Sequence, residues 1–122
     1  MLTRQGKNWG YTTEFFRNAV VSAYHLEIRK GGYCSEHKHR HKYNLFYVLS
    51  GKLKIKIWRE AEGYPSMPNI IDVTILERGQ ISAVPPGFYH KFEALEDTEC
   101  IEVYQVLLTE PDIERRKPGG KK

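Results

Sequence analysis

The sequence predicts an all-β barrel or sandwich, and three observations carry that reading. Roughly seven to nine short apolar runs are broken mostly by glycine and proline, the punctuation of a chain that reverses often. The run Lys52 to Trp58 alternates cleanly, with Leu53, Ile55 and Ile57 on one side and Lys52, Lys54 and Lys56 on the other, the period of a half-buried strand. No stretch shows the spacing of an amphipathic helix, and no internal repeat or linker interrupts the chain before its last residues.

Taken in order, residues 1–19 form an N-terminal segment, a loop around Trp9-Gly10 followed by a short strand over Thr13 to Phe16. The barrel is expected over residues 20–109. Val20 to Arg29 sets Tyr24, Leu26 and Ile28 against His25, Glu27 and Arg29, so it reads as a half-buried strand with His25 on its solvated side. Gly31 to Gly51, GGYCSEHKHRHKYNLFYVLSG, packs three histidines into five residues and runs into the apolar strand Leu45 to Leu49. Ser50-Gly51 turns it back into Lys52 to Trp58. Glu60 to Asn69, with two prolines and a glycine, reads as a loop beside the pocket mouth or as a plain connection. Strands then follow over Ile70 to Leu76, Ile81 to Val84, His90 to Leu95 and Glu99 to Leu108.

Two of these segments carry chemistry. Side chains two apart in an extended chain share a face, so one strand would present His37 and His39 together. In the second segment, Pro85-Pro86-Gly87 is a turn whose restricted and permissive backbone angles deliver His90 onto the next strand. Only a folded-over sheet brings His90 opposite the first pair, as a small antiparallel barrel does. Three neutral imidazoles hold a divalent first-row ion and leave positions open for water or substrate, the arrangement of a catalytic rather than a structural site. His41 shares their parity and is the alternative partner.

These residues resemble the two cupin motifs. Gly31, five residues, His37-Lys38-His39, four residues, position 44, six residues and Gly51 reproduce the spacing of the first; Gly79, five residues, Pro85, one residue, Gly87, two residues and His90 reproduce the second. The resemblance implies a jelly-roll, double-stranded β-helix barrel of two antiparallel sheets and favours His37, His39 and His90 as the metal ligands, with His41 an extra ligand or a surface residue. It also exposes two departures: Asn44 stands where cupins usually have a glutamate ligand, and Ala94 where the second motif usually ends in asparagine. An amide oxygen is uncharged, so a site using it keeps the ion's full charge, which lowers affinity for the ion and strengthens its pull on an anionic ligand.

Strand parity places Phe46 and Val48 on the face of Asn44 and Phe92 on the face of His90, an apolar wall for a small-molecule pocket or ordinary core. Glu102 shares a face with Tyr104 and is the candidate general base if that face is the inner one; Ile101 and Val103 on the other side leave the direction open. Lys7-Asn8-Trp9-Gly10, the histidine segment, the Pro-Pro-Gly turn, Ile101-Glu102-Val103, Asp112-Ile113, Arg115-Arg116 and Gly119-Gly120 are together similar to the mannose-6-phosphate isomerase-type cupin domain. That likeness implies a sugar-phosphate or related polar substrate. A three-histidine iron dioxygenase and a non-catalytic small-molecule-binding barrel are the competing readings, with zinc, manganese, iron or nickel as the ion. The family likeness also implies a homodimer, weakly supported by strands apolar on both faces such as Cys100 to Leu108.

Composition narrows the rest. A chain of 122 residues suits one domain. The formal charge of +4 is confined to the end: Arg115, Arg116, Lys117, Lys121 and Lys122 follow the last acid, Glu114, and without them the body is slightly acidic. No nucleic-acid surface is therefore expected, and residues 110–122 read as a flexible basic tail. No apolar run is long enough to span a membrane. The opening residues lack a signal-peptide layout, so a cytoplasmic protein with Cys34 and Cys100 as reduced, packed thiols is expected.

Overall fold

The alternation over Lys52 to Trp58 folds as read. In the computed structural model, which describes residues 3–61 and 64–106, Leu53, Ile55 and Ile57 are buried and Lys52, Lys54 and Lys56 are half-exposed. Among the described residues there are nine strands and no helix: β1 (Thr3–Lys7), β2 (Gly10–Arg17), β3 (Val21–Ile28), β4 (Lys42–Ser50), β5 (Lys52–Ala61), β6 (Tyr64–Glu77), β7 (Ile81–Val84), β8 (Tyr89–Ala94) and β9 (Thr98–Val106). They form two antiparallel sheets, one in the order β1-β2-β3-β9-β4-β7 and one in the order β6-β5-β8. No described helix is long and apolar enough to cross a membrane.

The core lies between the inner faces. Leu26 and Ile28 of β3, Phe46 and Val48 of β4, Leu53 and Ile55 of β5, Phe92 and Ala94 of β8 and Cys100 of β9 are buried in one cluster. Each is reached by the two-residue period of its strand, and each large side chain fully buried contributes about 1.5–3 kcal/mol. Both cysteines are free and buried, as expected; burial pushes the Cys34 thiol up to about 11 and the Cys100 thiol higher still. Gly51, at a φ of 89°, makes the tight turn between β4 and β5, where a Cβ would run into the carbonyl of Asp97.

Three details differ from the sequence reading. The opening is a complete hairpin: β1 pairs with β2, and β2 pairs with β3 from Gly10↔Ile28 onward, so the larger sheet continues past residue 20 toward the N-terminus. The stretch Glu60 to Asn69 is largely strand, since β5 runs to Ala61 and β6 starts at Tyr64. Pro65 and Pro68 are compatible with that because β6 is an edge strand, and the register shifts at Ile57/Trp58 and Glu60/Ala61 absorb the irregularity. Finally, His37 and His39 precede β4 instead of lying within it. The end of the run to Leu108 and the tail from residue 110 lie outside the described residues.

Candidate metal centre

Residues 31–37 run antiparallel beside β8 as an irregular extra rung of the smaller sheet. The amide of Gly31 donates to Ala94 (2.8 Å), that of Cys34 to Phe92 (3.2 Å) and that of His37 to His90 (3.3 Å), while His90 donates back to His37 (2.9 Å). This bridge sets the two imidazoles edge-on across the pair, with ring centroids 4.3 Å apart and planes at 64°. His39 is pinned separately: its carbonyl accepts from the amide of Gly87 (2.8 Å). Gly87 has a φ of 88° at the end of the Pro-Pro-Gly turn, a conformation that glycine adopts without strain. The turn therefore does two things: it launches β8 with His90 on its inner face, and it holds the backbone of His39.

His37, His39 and His90 each bring one ring nitrogen to within 4.8 Å of the other two. Donors about 2.1 Å from a shared ion sit no more than about 4.2 Å apart, so small ring rotations close the set. His37 Nδ1 lies 2.8 Å from the carbonyl oxygen of Ser35. That oxygen can only accept, so Nδ1 carries the hydrogen and Nε2 keeps its lone pair for the centre. His41, the alternative partner, is exposed and stands outside the cluster. The irregular backbone between His37 and β4 breaks the parity that made it a competitor.

Buried polar atoms without partners are Nε2 of His39 and both ring nitrogens of His90 within the cluster, and Oδ1 of Asn44 on β4. Burial first, and then the neighbouring His37, hold His90 down to about 4; the same causes, with a smaller push from Lys42, lower His39. Both imidazoles are thus neutral at physiological pH, the form that ligates. Unpartnered, neutral, converging donors are what a divalent ion satisfies, so the residues fit the ion that the spacing implies.

Asn44, fully buried on β4, turns its Nδ2 toward β9, 3.3 Å from Glu102 Oε2 and 3.3 Å from the carbonyl oxygen of Val103. Glu102 faces inward, which answers the question that Ile101 and Val103 left open. Burial raises its carboxyl to about 7 against the opposing pull of hydrogen bonds from Asn44 and from the Tyr104 hydroxyl (3.2 Å). Tyr104 also meets His39 edge-on at 5.2 Å, joining the carboxylate to the histidines. Strand parity found Tyr104 but gave it no role, and nothing in the spacing marked Ser35 as the partner of His37. Phe46, its ring 6.3 Å from that of His90, floors the centre, while Val48 and Phe92 are buried in the core cluster.

Comparison with known proteins bears on the family and the fold. A family model described as Cupin matches residues 10–115. The chain belongs to the cupin family. No protein of curated function matches it in sequence. Among solved structures it is similar to KdgF from Halomonas sp. (16% identity, 88% of each chain, TM-score 0.70). It is also similar to the capsular polysaccharide assembling protein CapF from Staphylococcus aureus (23% identity, 92% of this chain and 30% of that one, TM-score 0.69). A third likeness is to a variant of the oxalate decarboxylase from Bacillus subtilis (16% identity, 86% and 27%, TM-score 0.71). At these identities the likeness shows the shared cupin barrel.

Proposed function

We propose that this cupin holds a divalent metal ion through His37, His39 and His90, with Asn44 Oδ1 beside them, and acts on a small polar substrate in the manner of a sugar-phosphate isomerase or epimerase. The observation that carries the reading is the convergence of unpartnered, neutral ring nitrogens next to a buried carboxylate of near-neutral pKa. When bound, the ion would polarise a substrate carbonyl or hydroxyl. Every protein donor in the set is neutral, so the site favours an anionic ligand, and Lys42, whose Nζ lies 5.8 Å from the Tyr104 ring, adds positive charge beside it.

Glu102 is the base in this scheme. Both of its hydrogen bonds end on Oε2, which anchors the carboxylate and leaves Oε1 to exchange a proton with the substrate. A carboxyl that titrates near 7 is suited to both halves of such a transfer. The test is turnover of phosphorylated and carboxylated sugars by metal-loaded protein, comparing wild type with Glu102→Gln. The proposal expects the variant to keep its metal and lose roughly 100-fold or more in kcat. Equal activity in the two would remove Glu102 from the chemistry and leave a binding barrel. Iron in the loaded protein together with oxygen uptake would favour the dioxygenase reading instead.

Two further proposals concern setting. Free, buried thiols suit a reducing compartment such as the cytoplasm. The outer face of the larger sheet carries Tyr47 paired with Ile81 and Ile101, with Ile81 57% exposed, a patch that a second copy of the chain would cover. Sedimentation of wild type against Ile81→Lys tests the homodimer: a dimer reduced to a monomer supports it, and a monomeric wild type rejects it.

A further inference from the structure

The chemistry of an asparagine in a metal site depends on which end of its amide faces the ion. An amide oxygen can coordinate; an amide NH2 cannot, and it would point two hydrogens at a cation. In this barrel the choice is made on the far side of Asn44. Its Nδ2 lies 3.3 Å from the Val103 carbonyl oxygen and 3.3 Å from Glu102 Oε2, two acceptors that together take both amide hydrogens. Its Oδ1 is left buried and without a partner on the opposite side of the amide. Turning the amide over would set Oδ1 against those two acceptors.

Glu102 is itself held for this task. It sits on β9 one residue from Val103, pairs across the sheet with Phe46, and accepts from the hydroxyl of Tyr104, the residue opposite Asn44 in the ladder. Asn44 and Glu102 are both buried, so neither can exchange its partner for bulk water. We infer that Glu102 is a positioning residue for the metal centre: with the Val103 carbonyl it fixes the Asn44 amide so that Oδ1 is the atom offered to His37, His39 and His90. This cupin has then not discarded the motif's carboxylate. It carries one on the neighbouring strand, hydrogen-bonded to Asn44, and places a neutral amide between that carboxylate and the histidines.

The consequence for metal affinity rests on the proposed function above; the orientation of the amide does not, and the experiment reads the two separately. In the metal-free, 15N-labelled full chain, the side-chain amide of Asn44 is assigned by its loss in Asn44→Asp, and its hydrogen exchange is measured in wild type, Glu102→Gln and Glu102→Met. The Gln variant retains an acceptor oxygen and keeps the amide protected. The Met variant removes the acceptor and speeds exchange about tenfold or more, the effect expected of losing one buried hydrogen bond. Should Glu102→Met fail to fold, Glu102→Asp, which withdraws the carboxylate by one methylene, carries the same expectation.

The second arm measures zinc affinity by competition with a chromophoric chelator. Glu102→Met weakens it about 10–100-fold, the usual cost of losing a partner of a metal ligand, while Glu102→Gln stays within a few-fold of wild type. In an Asn44→Ala background Glu102→Met costs nothing further, because the residue acts through Asn44. Equal exchange in the Gln and Met variants, or zinc losses that multiply in the Asn44→Ala background, overturns the inference. A wild-type protein that takes up no zinc overturns the metal reading instead, and the exchange arm still decides the orientation of the amide.

Discussion

The same strands build two very different ends of this barrel. Toward the β4–β5 turn, the inner positions are Val48 on β4, Cys100 on β9 and Leu53 on β5, all fully buried and apolar. Four residues away along β4 and β9, the inner positions become Asn44 and Tyr104, with His39 against the Tyr104 ring and His90 against Phe46. Backbone, pleat and pairing do not change between the ends; only the side chains do. One end contributes stability. The other buries four polar atoms without partners, which costs free energy in the metal-free protein and is recovered by whatever satisfies them.

Mutations that move one end toward the other should show this, beginning with the largest effect. Phe46 stands between them, its ring 6.0 Å from Phe92 on the core side and 6.3 Å from His90 on the other. Phe46→Ala should destabilise the protein by about 3–5 kcal/mol in urea unfolding and weaken the metal site as well, because the cavity lies under His90. A loss below about 1 kcal/mol would show that Phe46 is not the floor.

The next effect depends on pH. In metal-free protein the contribution of His90, whose pKa falls from 6.5 unfolded to about 4 folded, is complete above 6.5 and is lost as pH falls toward 4. That of Glu102, raised from 4.5 to about 7, is complete below 4.5 and is lost as pH rises toward 7. Between 4.5 and 6.5 the two slopes oppose each other, so wild-type stability should change little there. Glu102→Gln removes one of them. Its stability should therefore fall relative to wild type by on the order of 3 kcal/mol from pH 6.5 to pH 4. Parallel profiles for the two proteins would contradict the burial of Glu102.

Much of this end of the barrel could be read from the chain. Gly31, His37, His39, Gly51, Gly79, Pro85, Gly87 and His90 fix the spacing of turns and ligands locally, and local geometry is what a sequence pattern records. The N-terminal hairpin is less legible because Thr3–Lys7 is all exposed and carries no apolar period; it exists through pairing with β2. The start of β6 was hidden by Pro65 and Pro68, which end most strands and are accommodated only at a sheet edge. The direction of Glu102 was undecidable because Ile101 and Val103, on the outer face, are as apolar as a core pair. Only the neighbouring strand, with Asn44 as a hydrogen-bond donor, distinguishes the faces.

A smaller effect converts the polar end directly. His90→Leu replaces a buried, unpartnered imidazole with an apolar side chain, so the metal-free variant should gain about 1 kcal/mol of stability while losing its metal. A stability loss would show that the His90 nitrogens are satisfied in the metal-free protein. The smallest effect lies on the outer surface: the Lys54–Glu93 pair is partly exposed at 3.9 Å, and Lys54→Ala should change stability by less than about 0.5 kcal/mol.

The most direct test of the account is elemental analysis of protein purified without added metal, wild type beside His90→Leu, with a urea melt to show that both are folded. The account predicts close to one divalent ion per chain in the wild type and none in the variant. Folded wild-type protein that carries no metal, and takes up none from zinc, iron, nickel or manganese solutions, would contradict it.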